Sequence, residues 1–487
     1  MTLPPQSVSA PALPSSSAAE SLLSEAPIAT LVVGAGLAGL VVAYRLRQAG
    51  QAVTVVEARD RAGGRVLTVP QALGTAIAAE LGGEAFDSGH IASLTLAQEL
   101  GLPMTDLWAT APPSDGGLCW FDGQSWDRTA LMAEFTAGMQ AHAADWEAVQ
   151  QFMADGVRTA VIAALDALSI PAYLDHMGLS APLQRWVSVA YTIKYGMEAA
   201  EQSSLNLLSF FRSSADCEEL FGGSDERFYL RGGNGQLPSA LAAQVADALV
   251  LNTALTALET APEGGYWATL QAPLEPPLEQ GTTIHRVKCD RVVLTIPFSV
   301  LRSIPLDLDL PPQQRRAIAE LGYNTPTKVI TAYDAKPWQH RASQGVAYTD
   351  LPLRHCWEAS DSLLTPGGGL LVAYLGGKTG QAASDNSLEG ATAAVLQDLG
   401  EIFPELMGHH LPVGSLRSPW LTDPYSQGAY SCYRVGQWTA FYGWEGQRAG
   451  NVWFAGEHCS RRYQGYMEGA CETGEQVALE ILMDLSR

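Results

Sequence analysis

No run of 18 or more apolar residues occurs in the 487-residue sequence, so no segment reads as a membrane-crossing helix. Basic residues are scarce: 29 Lys and Arg stand against 51 Asp and Glu, a formal net charge of -22. A nucleic-acid surface needs a basic stripe, and none is present, which excludes that partner class. Seven cysteines are scattered without a CxxC pair, and no Cys/His spacing suits a metal, so no metal site is expected. They read as reduced, buried thiols in a reducing compartment. Residues 1–27 lack both the basic start and the apolar stretch of a signal peptide. Their Pro-, Ser- and Ala-rich composition reads as a disordered tail on a cytoplasmic protein. No internal repeat is visible.

What is present is a folded, enzyme-like composition, 47% hydrophobic and long enough for two or more domains. The acidic surface favours solubility and attracts cationic substrates. One stretch carries a specific signal. "ATLVV" (29–33) is a buried-strand pattern that runs into Gly34-Ala35-Gly36-Leu37-Ala38-Gly39, then a helix with Leu40, Ala43, Tyr44 and Leu46 on its apolar side. Gly34 permits the turn, Gly36 lets backbone approach a pyrophosphate, and Gly39 lets helix and strand pack closely. The N–H groups at the helix start, Leu37 and Ala38 among them, face the phosphates. A second strand, "AVTVVEA", ends at Glu57 and Ala58; Glu57 lies 18 residues past Gly39, where an acid bonds ribose hydroxyls.

Directly after that acid comes "RDRAGGRV", with Arg59, Gly63, Gly64 and Arg65. This resembles the extended fingerprint of FAD-binding oxidoreductases, which makes FAD the expected dinucleotide. "LGGEAFD" (Leu81, Gly82, Gly83, Glu84 to Asp87) reads as a strand returning to the flavin, its glycines allowing close approach. From about 91 to 225 the pattern is helical. Gly232, Gly233 and Gly235 form a turn before a helix from Leu237, and "RVVLTIPFSVL" (291–301) reads as a strand. "YNTPTKVITAYDAKPWQ" reads as a half-buried strand carrying Lys328. A last strand, turn and long helix from about Gly465 close the chain.

Taken in order, Gly34 to Arg65, "GGNGQL", "TPTKVI", "WLTDPYSQGAY" and "FAGEHCSRRYQGYMEGACETG" resemble the flavin-dependent amine oxidases, a family of monoamine, polyamine and L-amino acid oxidases. The resemblance covers roughly residues 28 to 485. It implies an α/β fold in which a glutathione-reductase-type, Rossmann-like FAD domain (28–90, 226–300, 416–487) is intertwined with an α+β substrate domain. Residues 91–225 and 301–415 supply the latter, the first of these being a helical insert. Gly456 and Glu457 then sit by the FAD phosphates and ribitol, and the helix after Gly465 and Met467 points its N-terminus at the flavin. Leu255 approaches the adenosine half, and Trp420 packs near the flavin.

By the same resemblance, Lys328 reaches flavin N5 through a water. Desolvation there favours its neutral amine. Tyr430 and Tyr466 form the facing aromatic walls of an amine slot, bind substrate and attract a cation. Some monoamine oxidases attach the flavin through a cysteine immediately before the first slot tyrosine. Here that position is Ala429, with Cys432 elsewhere, so FAD is expected to be noncovalent.

Many L-amino acid oxidases hold the substrate carboxylate with an arginine after the "LGGEAFD" strand, yet no arginine occurs between Arg65 and Arg128. Asp87, with Glu84 nearby, instead falls where plant polyamine oxidases carry an acid, suited to a distal ammonium. The expected reaction is oxidation of a cationic small-molecule amine such as spermidine or putrescine. Hydride passes to flavin N5, the imine hydrolyses and O2 gives H2O2. The alternative is an oxidase or dehydrogenase of basic L-amino acids, with Arg461 and Arg462 as the carboxylate site.

Overall fold

Short apolar segments with no polar face have to be covered on both sides, and here they form the centre of a parallel sheet. The structure, a computed structural model, describes residue 23 and residues 27–110, 116–273, 282–340 and 343–487. The tail expected over 1–27 lies outside the described residues except for Leu23 and Pro27. The sheet runs Val452–Phe454, Val292–Leu294, Leu31–Val33, Thr54–Val56, Leu249–Val250, every pairing parallel. Its strands come from the beginning, middle and end of the chain. The helix Leu37–Gln48 makes the first crossover and packs against the C-terminal helix Met467–Leu485. With the sheet on one side and that helix on the other, nine of its first ten residues are buried, not one apolar stripe alone.

A four-stranded sheet of Thr282–Cys289, Tyr266–Pro273, Ala254–Thr260 and Leu306–Asp307 lies beside this unit. A seven-stranded mixed sheet forms the other half: Leu416–Arg417, Thr327–Tyr333, Gly369–Leu375, His355–Glu358, Ala347–Thr349, Leu118–Phe121, Gln124–Trp126. Helices such as Arg128–Ala141 and Ala181–Tyr195 pack around it.

Several local expectations need correction. Within 91–225 the chain also forms strands Met104–Asp106, Leu118–Phe121 and Gln124–Trp126. The last two make a hairpin around Asp122-Gly123, both at positive φ (53° and 69°), the Asp-Gly turn that twists as strands do. Thr327–Tyr333 is buried at every residue, not half-buried, because it is central to its sheet. The strand at Val292 stops at Leu294, and Pro297, which lacks an N–H, caps the short helix Phe298–Leu301. Leu81–Asp87 is not a strand. Its carbonyls are taken by side chains: Lys328 bonds that of Gly82, and Asn234 those of Gly83 and Glu84.

Gly34 turns the chain at φ +104°, and a Cβ on Gly39 would overlap the Gly34 carbonyl oxygen and crowd Thr295 Oγ1 at 2.9 Å. Alanine in a helix is ordinarily favoured over glycine by about 1 kcal/mol. Here Gly39→Ala is expected to destabilise by roughly 1–3 kcal/mol, the usual cost of overpacking. Its melting temperature and flavin content should both fall; an unchanged melting curve would show that this contact does not set the helix position.

Candidate active site

A single cavity of about 1190 Å³ runs from the glycine turn to a chamber of aromatic residues. Gly34, Gly36, Leu37 and Ala38 line one end, with Glu57, Ala58 and Arg59 beside them and Gly63, Gly64 and Arg65 above. Gly39 does not line it and acts through packing alone. Gly36 caps its helix without a side-chain hydrogen bond, and no acid stands in the first turn. A Cβ at Gly36 would meet nothing within 4 Å, so the positive helix end opens onto empty space. Glu57 is locked at the strand end: Oε2 accepts from the Ala35 N–H (2.8 Å) and Oε1 from the Arg59 N–H (3.0 Å). An open glycine turn, an uncapped helix end and a fixed acid fit a dinucleotide with a diphosphate and a ribose.

Farther in, Leu81, Gly82, Gly83 and Glu84 cross the cavity wall, and Trp420 Nε1 donates to the Leu81 carbonyl (2.7 Å). Leu255, Trp420, Gly456, Glu457, Gly465 and Met467 also line it. Arg65 Nη1 donates to the Ala429 carbonyl (2.8 Å) and to Glu457 (2.9 Å). Glu457 further accepts from the Ser431 N–H and hydroxyl and from the Gly465 N–H (2.9 Å). Burial pushes the Glu457 carboxyl up, but the Arg65 charge and the Ser431 bonds outweigh it and hold it below the usual range.

Lys328, Tyr430 and Tyr466 all reach the chamber. Lys328 Nζ donates to the carbonyls of Glu80 and Gly82 (both 3.0 Å) and to Glu84 (2.8 Å). The three acceptors match in number the three donors that a lysine side chain can present. Glu84 is correspondingly occupied: besides Lys328 it accepts from Trp357 Nε1 (3.1 Å), the Ser360 N–H (3.0 Å) and the Ser360 hydroxyl. Burial pushes its carboxyl up, while Lys328 brings it below the ordinary value. Asp87 turns inward too. It accepts from the Glu226 N–H (2.8 Å) and lies 3.3 Å from His90 Nε2. Arg461 and Arg462 do not line the cavity. The anchors expected for either substrate class are thus engaged or elsewhere.

Tyr430 and Tyr374 hydroxyls are 2.9 Å apart, and the Tyr430 hydroxyl donates to the Lys194 carbonyl (3.0 Å). Sequence reasoning missed this whole wall. Tyr374, Trp357, His355 and Tyr348 follow one another along it, with ring centroids 5.4, 5.2 and 4.3 Å apart. His355 Nδ1 lies 2.8 Å from the Ala347 carbonyl, and burial lowers its pKa to about 4, so the ring is neutral near pH 7. Lys194 is the other omission: its Nζ lies 5.3 Å from the Tyr466 ring centroid. Nothing in "YTIKYG" marks that lysine except its place in the last turn of a helix.

The pattern of the flavin containing amine oxidoreductases matches residues 37–482. The chain belongs to that family. Among its relatives, an L-amino-acid oxidase of Bungarus fasciatus is 23% identical over 473 residues, 93% of this chain and 87% of the other. The amine oxidase [flavin-containing] A of Sus scrofa is 24% identical over 492 residues, 94% and 85%. The cyclohexylamine oxidase structure from Brevibacterium oxydans superposes with a TM-score of 0.77 at 21% identity, covering 95% of this chain and all of that one. Like others of this amine oxidoreductase family, the chain is a flavoenzyme, and its cofactor is FAD. Among the described residues, no helix is long and apolar enough to cross a membrane, and no cluster of acids, His and Cys could hold a metal.

Ala429 is 8% exposed and lines the cavity, whereas Cys432 is fully buried outside it, its sulfur 3.4 Å from Asn206 Nδ2. Acid precipitation of the yellow holoenzyme should therefore release intact FAD into the supernatant. Flavin that stays with the precipitated chain would reveal a covalent bond.

Proposed function

We propose that this chain oxidises the α-carbon of a small amine in the chamber walled by Tyr430 and Tyr466. The observation that carries the reading is the continuity of one cavity from the glycine turn to these tyrosines and Lys328. When bound, the flavin would supply the two-electron sink for a hydride equivalent from the α-carbon, with dioxygen as the final acceptor. The protein's part is orientation. Tyr430 is held by two hydroxyl hydrogen bonds, to Tyr374 and the Lys194 carbonyl, so its ring keeps one pose. Tyr466 meets the edge of His90 at 5.3 Å and bonds Ser224 through its hydroxyl. Lys328 fixes a proton-bearing group against the Glu80–Glu84 backbone.

Substrate choice follows from which charges are open. Glu84 and Asp87 spend their oxygens on the protein itself, which weakens the dicationic reading in which they held spermidine or putrescine. The basic amino acid reading loses Arg461 and Arg462 as its anchor. Aromatic walls of Tyr348, Trp357, Phe210 and Phe221 favour an amine on an apolar or aromatic body. All seven cysteines are buried thiols, which suits the reducing cytoplasm.

Lys328→Met should retain FAD yet slow turnover or flavin reoxidation by roughly 10²-fold, the scale of a lost proton-handling group. Wild-type rates in both half-reactions would remove Lys328 from the mechanism. In a peroxide assay, 2-phenylethylamine should exceed spermidine in kcat/KM by about tenfold or more, a difference of ~1.4 kcal/mol. The opposite order would restore the polyamine reading.

A further inference from the structure

Lys194 stands in the last turn of the helix Ala181–Tyr195 and touches both walls of the amine slot. Its backbone carbonyl accepts the Tyr430 hydroxyl at 3.0 Å. Its Nζ lies over the Tyr466 ring and donates to Ser224 Oγ (3.1 Å), which is 3.2 Å from the Tyr466 hydroxyl. Phe221 and Phe210 close around it, with centroids 5.0 and 5.8 Å from Nζ. A cation in such an apolar setting needs a carboxylate, and it has one in Glu226 at 3.0 Å.

That partner differs in kind from the acids that pair with three other cations along the cavity. Arg59, Arg65 and Lys328 are paired with acids whose side chains are at most 17% exposed. The Lys194 side chain is 12% exposed but that of Glu226 is 64% exposed. Releasing Glu226 returns a carboxylate to water at little desolvation cost, while a second carboxylate from solution can take its place on the same ammonium. The exchange conserves the charge of the chamber. Glu84 offers no such exchange for a cation, because its partner Lys328 is buried; Asp87 is itself buried and adds a second negative charge that favours the Lys194 ammonium.

We propose that Lys194 is the specificity residue of the chamber and holds the carboxylate of an α-amino acid substrate, with Glu226 as its displaceable stand-in. This rests on the amine-oxidation reading above and narrows it. Since Lys194 Nζ lies over the Tyr466 ring, a carboxylate bound there faces an amine placed against that ring.

The test compares two pairs on the flavin-loaded enzyme: L-phenylalanine with 2-phenylethylamine, and L-leucine with isoamylamine. Wild type should favour the acid of each pair at least tenfold in kcat/KM. Lys194→Met should lower the acid-to-amine ratio 10- to 100-fold, mainly through KM, as for loss of a charge-assisted hydrogen bond. Lys194→Arg should restore part of it. A wild type that prefers the amine in both pairs, or a ratio unmoved by Lys194→Met, overturns the inference and leaves amine oxidation standing. Benzoate binding, followed by the flavin spectrum, is the readout independent of turnover: Lys194→Met should weaken it more than tenfold. Should no amine or amino acid be oxidised while that loss is seen, Lys194 stands and the oxidation reading falls. If Lys194→Met does not fold, Glu226→Gln carries the test in the other direction. It should tighten benzoate binding several-fold, and unchanged binding would overturn the proposal.

Discussion

The pair formed by Arg65 and Glu457, 392 residues apart in sequence, is the joint on which the site depends. Arg65 belongs to the loop after the first acid, while Glu457 follows the last strand of the parallel sheet. Through Arg65 the pair holds the Ala429 carbonyl, and through Glu457 it holds Ser431 and the Gly465 N–H. Tyr430 lies between the first two contacts and Tyr466 directly follows the third. One ion pair, its carboxylate buried, therefore sets both slot tyrosines against the cofactor loop. Breaking such a pair from one side costs about 3–5 kcal/mol, because the remaining charge stays buried. That cost discourages the tyrosines from drifting as independent loops would.

A second constraint is that the cavity must hold charge without filling itself. Each cation that faces the cofactor end is closed by a well-covered acid, and Lys328 is further fixed by two carbonyls. The chamber end is different. Its walls are rings, its histidine is neutral, and its lysine is paired with an acid that reaches solvent. Rigid charges suit a permanently bound cofactor, whose phosphates and ring keep one pose. An exchangeable pair suits a substrate that has to come and go.

Much of the cofactor half was legible because its chemistry is local. A diphosphate needs glycines and a free helix end within six residues, and a ribose needs an acid at the end of the next strand, so Gly34 to Glu57 announce themselves. The glycines after that acid and the slot tyrosines were legible only through resemblance, since isolated tyrosines carry no signal of their own. The reading of Leu81–Asp87 as a strand failed because its behaviour, like that of Lys328 and Asp87, depends on partners brought from elsewhere. Asn234 takes the carbonyls that a strand would have used, Glu84 keeps Lys328 fully bonded, and the Glu226 backbone occupies Asp87.

By itself the sequence determined the parallel sheet, its glycine turn and the dinucleotide. These follow from period, spacing and short-range backbone geometry, which the chain carries wherever it folds. Only the tertiary structure decided which charges remain open to a substrate. An acid or a lysine looks the same in sequence whether it is saturated or free. Its state is set by the desolvation and hydrogen bonds that distant segments impose on it. Lys194, invisible in its helix, enters the site because Tyr430 and Tyr466 are folded onto it from more than 230 residues away.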